Sequence, residues 1–247
     1  MQNEINYILT PWDEKSLDFK TAEVTINKYT NFNQFELTYK DRESNLLDLG
    51  VEFVYTRVCS SDLLLRDYIQ KVGFYYVETS VELKYINLKN FEKKKLPKIS
   101  YKLAEIEDIE NIKSIASDSF NFGRFHEDVN ISISKSRLRY YNWIDDLIIQ
   151  KAEIYVAKVG ENIIGFNIQK SDYIKKETKL ILAGCKVGAE IFTLSLWNEI
   201  LNTNKNNELN KISALISASN IGVFNIYLNF DFNICNTYFG FHKKIYK

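Results

Sequence analysis

The sequence predicts an α/β fold of the α+β kind: a mixed central sheet flanked by helices, preceded by a smaller half of similar plan. Three observations carry this expectation. Apolar runs of period two alternate along the chain with runs of helical period. The stretch Ile212–Lys243 reads as strand, tight turn, short helix and second strand. Between the halves lies Asn87–Lys98, where Lys93-Lys94-Lys95 and Pro97 give a charge run and a breaker together. The expected division is residues 1–97 and 98–247.

Taken in order, the first half holds the polar-aromatic cluster Pro11-Trp12-Asp13 and a strand at Thr21–Ile26. A short helix is expected over Asp41–Leu49, ended by Gly50. Val51–Val58 alternates as a strand, Leu63–Lys71 reads as a helix closed by Gly73, and Phe74–Leu83 as a further strand. After the linker, Tyr101–Leu103 is a short strand. Glu105–Phe120 places Ile106, Ile109, Ile112, Ile115 and Phe120 on one helical face. Asn121–Asn130 is irregular, and Ser134 is the expected N-cap of a helix through Ile148. Ile154–Val159 and Ile163–Gln169 alternate around Gly160-Glu161-Asn162, a hairpin signature. Lys179–Cys185 is a buried strand, and a helix follows from about Ala189 to Leu201.

The closing unit has an echo. Aligning Gly73-Phe74 with Asp231-Phe232 sets Asp62 opposite Asn220 and Leu65 opposite Val223. SSDLLLRDYIQKVGFYYVETSVEL and ASNIGVFNIYLNFDFNICNTYFGF then share one plan.

Composition excludes several classes. Lys plus Arg equals Asp plus Glu at 32 each, so no global field draws the chain to nucleic acid or anionic lipid. Cys59, Cys185 and Cys235 are odd in number and lack a Cys-x-x-Cys spacing, which fits a reducing compartment. No basic stretch followed by an apolar run opens the sequence, and no run of about 18 apolar residues occurs. The expectation is a cytoplasmic protein without nucleic-acid or membrane partners. No metal is expected, because neither His126 nor His242 has Cys or His neighbours at ligand spacing. A P-loop, a Rossmann glycine turn and a Gly-x-Ser-x-Gly elbow are also missing. The apolar flanks of Cys185 favour a buried, inert thiol.

Several residues carry both a structural and a chemical reading. Asn220 is placed to N-cap the last helix. The turn Lys186-Val187-Gly188-Ala189 is either an ordinary strand-to-helix connection or an anion site, since free N–H groups before a helix bind phosphate without special side chains. Arg124, Phe125 and His126 lie in the irregular segment, a frequent place for substrate contacts. A bidentate Arg suits a diphosphate, a ring suits stacking, and His126 suits a base, with Asp128 as an alternative.

The element order of residues 98–247, β-α-α-β-β-β-α-β-α-β, resembles the GNAT superfamily of acyl-CoA-dependent N-acyltransferases. Asn220-x-x-Val223-x-Asn225-x-Tyr227-x-x-x-x-Phe232 is similar to that family's N-x-x-(A/V)-x-x-x-Y-x-x-x-G-F ending. Trp12-Asp13, Arg124-Phe125-His126 and Phe241-His242-Lys243 resemble the bacterial branch that acylates nucleotide-linked amino sugars, the TDP-fucosamine acetyltransferases. That branch has a truncated GNAT-like first half. The resemblance spans nearly the whole chain and is strong in the last 40 residues or so. Two departures stand out: Gly184-Cys185-Lys186-Val187-Gly188-Ala189 keeps only the final Gly-Ala of the usual Arg/Gln-x-x-Gly-x-Gly/Ala loop, and Asp231 replaces a glycine.

The resemblance implies acetyl-CoA, or another short-chain acyl-CoA, as co-substrate and a nucleotide-linked amino sugar as acceptor. It gives Tyr227 the protonation of the leaving thiolate, a partial transfer because a thiol pKa near ~8.5 lies below a phenol's near ~10. Asn220, Lys186, Val187, Gly188, Ala189 and Asn225 would hold the cofactor, with Asn220 on its pantetheine arm. Arg124, Phe125 and His242 would hold the sugar nucleotide, and His126 would act as base. A homodimer is expected, since two-fold assemblies are common. Two other functions compete: an aminoacyl-tRNA-dependent transferase with two GNAT-like halves, which the charge balance disfavours, and a non-catalytic binder of sugar nucleotides.

Overall fold

The computed structural model describes residues 4–29 and 31–245. Strand β1 (Glu4–Leu9) leads into α1 (Pro11–Leu17), where Pro11 sits in the first turn and Asp18 closes the helix at φ 62°. Neither element was expected. β2 spans Thr21–Lys28. Helix α2 (Phe32–Asp48) begins well before the expected Asp41, because Asn31 caps it through the Gln34 N–H. Its Phe35, Tyr39 and Leu46 are buried. β3 (Phe53–Cys59), α3 (Leu63–Lys71) and β4 (Tyr75–Ile86) follow.

The linker is not a free connection. The Lys94 N–H and C=O pair with the side-chain amide of Asn198, both at 2.9 Å, and Lys205 donates to the Phe91 carbonyl at 2.6 Å. β5 (Ser100–Leu103) comes next, then a 3-10 turn and α4 (Ile109–Ser119), started by a Glu105/Asp108 capping box. α5 (Ile133–Ile149) is capped at Ser132, whose hydroxyl accepts the Lys135 N–H at 3.4 Å, two residues before the expected Ser134. β6 (Glu153–Val159) and β7 (Asn162–Asp172) form the expected hairpin, with Gly160 at φ 57°. β8 (Glu177–Cys185), α6 (Thr193–Asn206), β9 (Lys211–Ser217), α7 (Ile221–Asn229) and β10 (Asn233–Lys244) complete the chain.

The compact units are interleaved along the chain rather than divided at residue 97. One comprises residues 1–80, 123–139 and 237–247; the other comprises 81–122 and 140–236. β4, β10 and α5 each begin in one unit and end in the other.

In the first unit the strand order is β1-β2-β3-β10-β4, with β2 and β3 parallel and β3 and β10 antiparallel. Helices α2 and α3 cover one face through Phe35, Tyr39, Leu65 and Ile69 against Val24, Val54 and Val58. The opposite face carries Phe53, Tyr55 and Arg57 and is covered by α1 and residues 123–139. In the second unit β4 is followed by β9, β8, β7, β6 and β5. Trp197, Ile200 and Leu201 of α6 bury one face of that sheet; Ile112 and Ala116 of α4, with Ile144 and Leu147 of α5, bury the other.

The internal echo is realised element by element. Each copy has a seven-residue strand, a nine-residue helix and a twelve-residue strand. Asp62 accepts the Leu65 N–H at 3.1 Å as Asn220 accepts that of Val223 at 3.2 Å. Each helix is followed by a left-handed residue, Gly73 at φ 94° and Asp231 at φ 59°.

Gly240 makes one contact of the first unit possible. A Cβ there would sit 2.7 Å from Glu78 Cγ, and Glu78 is held by Arg57, which donates to Oε1 from Nη2 at 2.8 Å. Gly240→Ala is therefore expected to disrupt this buried pair and lower stability by about 1–3 kcal/mol, read as a lower urea midpoint.

Candidate functional site

The second unit contains a fork. β8 and β9 run parallel for four registered pairs, Glu177–Lys211 to Leu180–Ala214. Beyond Leu180, β8 stays on β7, through Leu182–Ile168, Ala183–Asn167 and Cys185–Gly165. The register of β7 and β8 slips at the same point, leaving Ile181 as an extra residue. Consecutive residues Ile181 and Leu182 consequently pack on the same face, a β-bulge. The registered pairing with β9 ends at Leu180, so beyond it the β8 edge that faced β9 offers backbone hydrogen-bonding groups. Nothing in the sequence marked Ile181.

Two turns frame this fork at the C-terminal ends of the parallel strands. At the first, the Ser217 hydroxyl accepts the Ser219 N–H at 3.1 Å, and Asn220 caps α7 with its carbonyl oxygen. The Asn220 amide nitrogen retains its donors for another partner. At the second, Lys186 to Ala189, three of the four N–H groups are engaged. Lys186 donates to the Ile164 carbonyl, Ala189 to that of Lys186, and Gly188, at φ 87°, to Glu190 Oε1 at 2.9 Å. Hydrogen bonds from the Gly188 and Glu190 N–H groups hold the Glu190 carboxyl below its usual range. Glu190 was not singled out in the sequence.

Tyr227 is 3% exposed, its ring edge-on to Trp197 at 5.7 Å and to Phe232 at 4.8 Å. Burial raises its pKa; the indole N–H of Trp197, which opposes the shift, makes no full hydrogen bond. Asn225 is exposed on α7, as are Lys186 and Val187 on the loop. The Cys185 thiol is pushed up to about 11 by burial, as an inert thiol should be.

The other expected site residues fall in the first unit. Arg124, expected to grip a diphosphate, is buried, lies 4.1 Å over the Tyr55 ring, and is ion-paired to Glu23 at 3.0 Å. Phe125 is buried between Tyr55, His242 and the Arg139 guanidinium. His242 is fully buried, with Nδ1 2.7 Å from Asp128 Oδ2, which also accepts from the Tyr75 hydroxyl at 2.8 Å. Asp13 binds both Arg139 and Tyr55. These side chains form a paired charge layer on the sheet, in which the buried His242 Nε2 has no hydrogen-bond partner among the described residues. The signal for it was period-two spacing of Phe53, Tyr55 and Arg57.

His126 is partly buried. Burial, then Arg137 and Arg139, lower its pKa to about 4, which makes it a weak base toward an alkylammonium ion. Among the described residues, no group of three or more His, Cys, Asp or Glu is placed to hold a metal, and no helix is long and apolar enough to cross a membrane.

No protein-family profile matches this sequence, and no curated protein matches it. Solved structures do. A GCN5-related N-acetyltransferase from Sphaerobacter thermophilus superposes at a TM-score of 0.67 with 12% identity, over 98% of this chain and 76% of that one. A tandem GNAT protein from the clavulanic acid biosynthesis pathway gives 0.59 with 7% identity, over 91% and 75%. The fold is that of the GNAT proteins. A conserved protein of unknown function from Staphylococcus epidermidis has the same fold, at 0.64 with 14% identity, over 95% and 89%. The tandem neighbour matches the two-half plan seen here.

Folding holds both histidines below their ordinary pKa, chiefly by burial. The unfolded chain therefore binds protons more readily below about pH 6.5. Stability is expected to be full above that value and to decline as pH falls toward about 4, where folded His126 titrates. Urea midpoints at pH 7, 6 and 5 should show the decline, and His126→Gln should make it shallower.

Proposed function

We propose that this protein is an N-acyltransferase that moves an acyl group from acyl-CoA to an amine. The observation that carries the reading is the fork: a parallel pair that parts at a bulge, with Asn220 at its mouth. A ligand with amide groups along an extended arm fits an unpaired β8 edge as a further strand would. The residues beyond Leu180 on β8 would pair with the pantetheine amides, Asn220 would add a side-chain donor, and Lys186 to Ala189 would face the diphosphate. Bound acyl-CoA supplies a thioester.

In this reading the Ile181 N–H donates to the carbonyl oxygen as it gains charge, a single fixed donor. The amine nitrogen bonds to the acyl carbon, and the carbon–sulfur bond breaks without an acyl-enzyme. Coenzyme A leaves as its thiolate, and the proton shed by the nitrogen passes to water. Burial keeps the Tyr227 phenol protonated at neutral pH, so it donates a hydrogen bond to the departing sulfur instead of ionising. With a pKa near 4 His126 gives little base catalysis, and the amine arrives deprotonated from solvent.

The acceptor is proposed as an amine of unassigned class. The nucleotide-linked amino sugar rests on the resemblance alone, since Arg124, Phe125 and His242 serve internal packing. A second reading, a non-catalytic relative, has one specific observation behind it: the Glu190 carboxylate on the Gly188 N–H.

Two measurements decide between these readings. Saturating acetyl-CoA is expected to raise the melting temperature, since a ligand at 100 times its Kd stabilises by about 2.7 kcal/mol; no shift counts against any acyl-CoA function. Tyr227→Phe keeps the ring packing and removes only the hydroxyl. It is expected to cut turnover about tenfold or more with little change in acetyl-CoA affinity. Unchanged turnover would leave Tyr227 a packing residue.

A further inference from the structure

Glu190 Oε1 accepts the Gly188 N–H at 2.9 Å, in the turn that would face the cofactor's diphosphate. This is an anion already seated among backbone donors, and those donors hold it ionised. A diphosphate can reach the Gly188 N–H only once the carboxylate has left, and it meets like charge for as long as Glu190 stays nearby. Between Gly184 and Glu190 the only cation is Lys186, a point charge without the fork geometry of arginine. The pantetheine side differs. Neither Ile181–Cys185 nor Leu215–Asn220 contains an acidic residue, and the strand edge needs no displacement to form hydrogen bonds. Exposed Val187, Ile191 and Ile221 give the mouth an apolar rim.

We propose that Glu190 is a built-in competitor for the diphosphate end of the donor, so that the site selects the acyl-pantetheine arm and discriminates little between CoA thioesters and shorter pantetheine thioesters. The inference rests on the acyl-CoA reading above and assigns the specificity within it. Affinity then comes from the strand edge and Asn220, and the Gly188 turn contributes once its own carboxylate has been displaced. Glutamine at residue 190 removes the like charge and leaves a weaker, neutral acceptor on the Gly188 N–H, so a diphosphate displaces it more readily while the turn is kept.

Titration calorimetry with acetyl-CoA and with S-acetylpantetheine tests this on the full chain, as wild type, Glu190→Gln and Asn220→Ala. The wild type is expected to bind the two thioesters within about threefold of each other. Glu190→Gln should tighten acetyl-CoA roughly fivefold or more and leave S-acetylpantetheine within about twofold, and the gain should shrink in high salt. Asn220→Ala should weaken both ligands alike. A wild type that prefers acetyl-CoA by about tenfold or more, with Glu190→Gln unchanged, overturns the competitor role while leaving acyl-CoA binding intact. Failure of both thioesters to bind both the wild type and Glu190→Gln overturns the acyl-CoA reading itself.

Discussion

Parallel strands that part after four residue pairs set the geometry of each unit. A parallel ladder satisfies the backbone only while it lasts; where it stops, the freed groups face solvent or a ligand. In the second unit the last pair is Leu180–Ala214, and in the first it is Val24–Thr56. The turn and the helix cap that follow stand at the same spacing from the last pair in both copies. The position of Asn220, the entry to α7 and the exposure of the β8 edge all follow from that early stop.

The two copies diverge in what occupies the opening. At the cap of α3 the residue is Asp62, which has no donors to offer, and its spare capacity is taken by the Tyr29 hydroxyl at 2.7 Å. Tyr29, Phe32, Phe35, Tyr39 and Tyr68 form an edge-to-face cluster beside it. Aromatic packing thus replaces ligand-binding capacity, and an acceptor-only side chain replaces an amide. The opposite face of the first unit puts its polar atoms to structural use, with Arg57, Arg124 and Arg139 each matched to a carboxylate. Such pairs are worth little as a sum, but each becomes costly to break singly once buried.

Much of this was legible in the sequence wherever local chemistry decides the outcome. The Gly160 hairpin, helix α3 with its glycine stop, the Asn220 cap and the echo between Asp62 and Asn220 are all short-range signals. α1 was hidden by its brevity, and the start of α2 by a cap, Asn31 on the Gln34 N–H, that lies ten residues before the segment expected to be helical. The charge layer escaped because burial is a property of the assembled sheet: Arg124 looks like a surface ligand until Glu23 is brought across from β2. Glu190 escaped for the converse reason. It is an ordinary first-turn acid by composition, and only the direction of its carboxylate toward Gly188 gives it meaning. The bulge at Ile181 has no residue signature at all.

The strands β4 and β10 raise a question of heredity and handling. Each starts within one compact unit and finishes within the other, and the first unit is assembled from three separate stretches of chain. No single cut in the gene isolates a unit with its sheet intact. A truncation at the lysine-rich connection would strip the leading half of the residues that lie beside β3, Tyr238 to Lys244, and leave the trailing half without Val81 and Leu83. A chain whose two units are interleaved in this manner cannot lose or exchange either one by itself.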